Sequence, residues 1–221
     1  MSDPINPYAP SLETTSPPIP TQGNYEALAA TARGLRIIHF GIVLMLLCLI
    51  GMTLSFAIFP QAIAPLGLLM LVGFLMWLIG PMFCLTAPPE TQTKGFVIVS
   101  IICQLSALMI AIAKSVGVVN IRYSSLATNL LAVISVALFI LAMMRIASSI
   151  QREDLRAAGR RILRGGVVLI CMGLVSVFGI VLMGMLTSII LVVVLFGMLI
   201  IFVMYANLVN SLATAIDSLK G

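Results

Sequence analysis

From residue 37 to residue 89 the chain carries no Asp, Glu, Lys or Arg, and three more charge-free stretches follow at 95–113, 123–144 and 165–216. Water does not dissolve segments of that length and apolarity; hydrocarbon does. A helix rises about 1.5 Å per residue, so about 20 apolar residues cross the roughly 30 Å of hydrocarbon in a bilayer. The first and last stretches are each long enough to cross twice. With 61% apolar residues and a mean hydropathy of +1.20, the chain also has too little polar surface to cover a water-soluble globule of 221 residues. Backbone polar groups in lipid must be satisfied within each segment, which makes an all-α integral membrane protein the expectation.

Breakers divide the two long stretches. Pro60, Gln61 and Pro65 interrupt the first, because proline removes a helix donor and clashes with the preceding turn. In the last, Gly184 and the pair Thr187-Ser188 mark the turn. The reading is a six-helix transmembrane bundle with helices near 36–59, 62–86, 95–113, 126–145, 166–186 and 188–208. Four crossings would need helices longer than any ordinary bilayer calls for. Ahead of the bundle, residues 1–24 hold six of the eleven prolines and little aliphatic periodicity, so they are read as a disordered tail. A short helix is expected to start near Asn24, in the alanine-rich "NYEALAATARGLR", and to run into the first crossing. The first apolar segment begins too late and runs too long for a cleaved signal.

Six alternating crossings place the tail, the loops at 87–94 and 145–165 and the C-terminus on one side of the membrane. That side holds ten of the twelve Lys and Arg residues; Lys114 and Arg122 fall on the other. Basic loop residues are retained in the cytoplasm, so both termini are expected there. The densest basic segment is "SIQREDLRAAGRRILRG", residues 149–165, with Arg152, Arg156, Arg160, Arg161 and Arg164. Ile150, Leu155, Ala158 and Ile162 recur at helical spacing within it, so it reads as a basic amphipathic loop helix. Ser148 and Gln151 fit a capping box at its start. Such a helix retains the loop in the cytoplasm and sets its guanidinium groups among anionic headgroups, or docks an acidic partner or a nucleotide. Nucleic acid is not expected, because no aromatic residues interleave with the basic ones.

Chemistry-bearing residues are sparse. Cys48, Cys84, Cys103 and Cys171 share no CxxC spacing and read as small apolar residues in helices. The fourteen methionines read as packing, with Met183-Gly184-Met185 the nearest approach to a soft-metal motif. His39 is the single histidine, too few for a bis-histidine haem, and reads as an interfacial hydrogen-bonding residue. No metal or cofactor is expected. Neither a paired carboxylate nor GxSxG nor HExxH is present, so the chain is read as non-enzymatic. Ionisable groups, which mark coupled transporters at mid-membrane, are missing from all six predicted cores. The polar candidates for lining a solute path are Gln104, Asn129, Ser100 and Ser135, although interhelical hydrogen bonding explains the same residues. Gly166, Gly173 and Gly179, with Ser176, fall near one helix face and predict close helix packing within the chain or between copies. Trp77 is interior to its helix and receives no role.

"RIIHFGIVL" at 36–44 echoes "RILRGGVVL" at 161–169, each opening a predicted hairpin, though apolar strings match readily by chance. "NPYAP" at 6–10, "GLRIIHFGIVL" at 34–44, "GPMFCLTAPPE" at 80–90 and "QREDLRAAGRRIL" at 151–163 together resemble a set of bacterial multi-pass membrane proteins of unknown function. Their tails open with a similar Asn-Pro-Tyr segment, followed by a Gly-Leu-Arg entry to the first helix. The resemblance spans most of the chain and implies a bacterial inner-membrane location, with no activity or site residues attached. The functional expectation is a non-enzymatic structural or partner-interaction protein. The alternative is a small permease or channel for an uncharged or apolar solute.

Overall fold

The structure, a computed structural model, describes residues 22–117, 121–183 and 185–220. Residues 1–21, most of the expected tail, lie outside that description, as does Gly184. Among the described residues are six α-helices: α1 (Gln22–Ile58), α2 (Ile63–Phe83), α3 (Lys94–Ser115), α4 (Ile121–Ser149), α5 (Glu153–Met183) and α6 (Met185–Asp217). Five of them contain segments long and apolar enough to cross a membrane, so the chain is a membrane-embedded helical protein. In α5 the apolar half follows Arg164, and side chains from residue 174 to its end lie outside the description.

Three antiparallel hairpins, α1–α2, α3–α4 and α5–α6, make up the bundle, and α1 also packs on α6. Large apolar side chains, among them Leu47, Leu68, Ile102, Met109, Leu126 and Phe196, stand on the outer faces. That is the arrangement hydrocarbon favours and water does not. The deepest core lies towards one end, where the start of α1 (Leu28, Ala32, Leu35, Ile38), the end of α4 (Met143, Ile146), the start of α5 (Leu155) and the end of α6 (Leu208, Val209, Leu212, Ile216) meet. At 37 residues α1 is about 55 Å long, well beyond the hydrocarbon thickness. α1 is thus longer than one crossing requires, and at this basic end the helices pack on one another as in a soluble protein. Arg36 pairs with Asp217, and His39 donates from Nδ1 to the Ala206 carbonyl at 3.0 Å, so two polar contacts tie α1 to α6.

The closest helix contact is α1 on α2. A Cβ on Gly41 would lie 2.6 Å from the Gly73 carbonyl oxygen, and one on Gly73 would lie 2.9 Å from the Gly41 carbonyl oxygen. Gly34 and Gly80 repeat the arrangement one heptad away, at 2.7 and 2.9 Å. Spacing of seven on both antiparallel helices brings backbone against backbone in two successive layers.

Two boundaries differ from the sequence reading. The basic segment is helical from Glu153, but it forms the first turns of a continuous α5 and not a separate loop helix. Ser148 and Gln151 close α4 and do not cap α5. Gln151 takes a left-handed φ of 58°, its N–H bonds to the Ser148 carbonyl at 3.1 Å, and the Arg152 N–H reaches back to the Ala147 carbonyl at 2.9 Å. That pair of bonds is a Schellman C-cap, so the chain reverses in the three residues 150–152. Likewise Thr187 and Ser188, expected in a turn, fall inside α6.

Candidate functional site

Facing sides of α4, α5 and α6 do not meet along their full length. Between them lies a cavity of about 300 Å³ lined by Ala132, Val133, Val136, Ala137 and Ile140 of α4, by Ile162, Leu163, Gly166, Val167 and Ile170 of α5, and by Met198, Ile201, Phe202 and Tyr205 of α6, with Trp77 of α2 at its base. The helical spacing explains the gap. Ala132, Ala137 and Gly166 offer too little side chain to reach across, and a Cβ built on Gly166 would meet nothing within 4 Å. The cavity opens sideways past Val133 and Val167, which are 41% and 61% exposed. Its volume is in the range of small-ligand pockets, and its wall is almost wholly hydrocarbon.

Behind the wall formed by Trp77, Val136 and Tyr205 lies a second, much smaller recess of about 10 Å³, bordered also by Ser100, Gln104 and Ser135. Such a volume admits about one water. Three of the four polar residues singled out in the sequence therefore meet. Ser100 and Ser135 join α3 to α4 with reciprocal bonds, each hydroxyl donating to the other residue's carbonyl at 2.8 and 2.9 Å. Gln104 is buried, and its Nε2 has no hydrogen-bond partner among the described residues. Asn129 lies exposed on α4, away from this group.

At the basic end of α5 the charges are graded. Arg152 forms two bonds to Asp154, at 3.0 and 2.9 Å, and this contact holds the Asp154 carboxyl down at about 2 while raising the Arg152 guanidinium. Arg156 pairs with Glu153 at 3.0 Å, and Arg160 stands 3.9 Å from the same carboxylate. Arg161 and Arg164 have no ion pair among the described residues. At 100° per residue, Arg160 and Arg164 share the side of α5 that carries Val167, the outer lip of the cavity, whereas Arg161 lies beyond it.

Other expected residues are dispersed. Gly166 faces the cavity, and a Cβ there would meet nothing within 4 Å, so the close packing its spacing predicted is not made within the chain. Gly173 would make only an ordinary contact with Val194, at 3.9 Å, and the surroundings of Gly179 and Ser176 lie outside the description. Cys48 and Cys84 are buried, Cys103 is half-buried and Cys171 is exposed on α5. Sequence reasoning missed Trp77 and Tyr205, which line both cavity and recess, and the signal for the tight seam was the pair Gly34/Gly41 against Gly73/Gly80. No protein-family signature, curated protein or solved structure matches this chain.

Proposed function

We propose that this chain is a non-enzymatic protein of a bacterial inner membrane, crossing it six times with both termini in the cytoplasm, whose work is to receive an apolar partner from within the bilayer. The observation that supports this reading most is the cavity between α4, α5 and α6: hydrocarbon-walled, of ligand size, and open to the side of the bundle. A solute path would need polar groups lining an opening. Here Ser100, Ser135 and Gln104 border a recess of only about 10 Å³, room for no more than about one water, and Asn129 stands apart, so the permease alternative has less support. Ten basic residues on the side of the tail, the 145–165 connection and the C-terminus support cytoplasmic termini.

Trp77 is the chain's single tryptophan and lies at the base of the cavity, so its fluorescence reports occupancy. In detergent, 1-bromododecane should quench it saturably, and Gly166→Leu, which projects a side chain into open space, should remove the saturable component. Quenching that is linear in quencher and indifferent to Gly166→Leu contradicts the reading.

A further inference from the structure

The geometry points to a specific occupant of the cavity: one acyl chain of an anionic phospholipid from the cytoplasmic leaflet, with its phosphate held by Arg160 and Arg164. This deepens the lateral-cavity reading and rests on it.

Depth comes first. The α5 wall of the cavity runs from Ile162 to Ile170, about 12 Å along the axis, and begins beside the arginine cluster. A molecule filling it from that end therefore has its apolar part between the helices and its other end at the level where guanidinium groups stand. A phospholipid is amphiphilic in that sense, with a headgroup at the interface and chains in the hydrocarbon.

Charge comes second. Arg160 and Arg164 lie four residues apart and so stack on one face, with Val167 three residues further along the same side. Arg164 carries no ion pair among the described residues, and Arg160 has only the 3.9 Å approach to Glu153, itself shared with Arg156. Both are exposed, so their donors remain open to an anion. Guanidinium forks match phosphate oxygens in geometry as well as charge, and a zwitterionic headgroup satisfies them less well because its own cation competes. Tyr205 and Trp77 close the cavity on its inner side and keep the chain from the polar recess.

A second copy of the chain is a less fitting occupant. Its outer faces at the same depth are bulky apolar side chains that match the cavity's wall but bring no anion to the two arginines.

The full-length chain is reconstituted in phosphatidylcholine vesicles containing a fixed fraction of either phosphatidylglycerol or phosphatidylcholine brominated on its acyl chains. Trp77 quenching is then compared. Brominated phosphatidylglycerol should quench more strongly at equal fraction. In Arg160→Gln/Arg164→Gln that preference should collapse to the level of the zwitterionic lipid, since each guanidinium near the headgroups contributes about a fivefold factor and the pair roughly twenty- to thirtyfold. Gly166→Leu should lower quenching by both lipids. Equal quenching of the wild type by the two lipids, or a preference that survives the double substitution, overturns the assignment of the headgroup. If quenching is equal yet falls in Gly166→Leu, the cavity still takes hydrocarbon and only the anionic lipid is lost. If Gly166→Leu changes nothing, the cavity reading fails with it.

Discussion

The α1–α2 seam and the α5–α6 hairpin both carry glycines on their packed faces, yet the first is shut along its glycines and the second borders an open cavity. In the seam four glycines at heptad spacing let two backbones touch, carbonyl against Cα, in two layers. In the second hairpin the glycines are out of phase. Gly197 receives the Leu169 side chain, Gly165 meets Ile201, and Gly166 meets nothing within 4 Å. Small residues therefore do opposite things according to what faces them. Opposite another glycine they bring helices together; opposite alanines on a third helix, as Gly166 stands to Ala132 and Ala137, they leave room. In lipid, where burial of apolar groups gives little drive to helix association, the seam's backbone contact is the stronger packing device.

That contrast can be broken most directly at Gly41. Gly41→Ala forces a methyl into a carbonyl that would be 2.6 Å away, so it should destabilise the bundle by about 1–3 kcal/mol in detergent unfolding. Gly166→Ala, the same chemical change, should be neutral or stabilising by up to about 1 kcal/mol, since alanine favours helix and finds space. Equal effects at the two positions would erase the distinction. Between these extremes stands Gln104. Gln104→Leu removes a buried amide whose nitrogen has no partner among the described residues, and should raise stability by about 1–2 kcal/mol. Ser100→Ala, which cuts a satisfied interhelical pair, should lower it by about 0.5–1.5 kcal/mol. The smallest effect lies at the exposed start of α5. Asp154 has a folded-state value near 2, below the usual carboxylate range, so the Arg152–Asp154 contact is fully present above that range and is lost as pH falls through about 2. The Asp154 carboxyl carbon resonance should titrate there, and Arg152→Gln should move the midpoint upward.

Much of the fold was legible because one-dimensional signals control it. Charge-free length predicted helices close to those observed, and Pro60 marked the first hairpin turn correctly because proline acts on its own neighbours. Ser148 and Gln151 misled, because a polar pair three apart occurs at both ends of helices. What decides is which residue adopts φ near +58°, and glutamine gives no advance notice of that. Leu155, Ala158 and Ile162 of the basic segment do share the inward side of α5, but Ile150 falls in the reversal before it and continuity with α5 was hidden, as helix in water and helix in lipid share one geometry. The site was legible only in part. Ser100, Ser135 and Gln104 stood out as polarity in an apolar run, and they do meet. The cavity beside them left no local trace: a void is the joint property of three helices, and neither Ala137 nor Gly166 signals alone what stands opposite.

Uptake of a lipid chain beside Arg160 and Arg164 requires six crossings that leave these arginines and the mouth of the cavity at the cytoplasmic leaflet. Fusion of a compartment-specific reporter at residues 118, 155 and 221 tests this, with 118 predicted outside the cytoplasm and 155 and 221 within it. A cytoplasmic signal at 118, or an external one at 155, would contradict it.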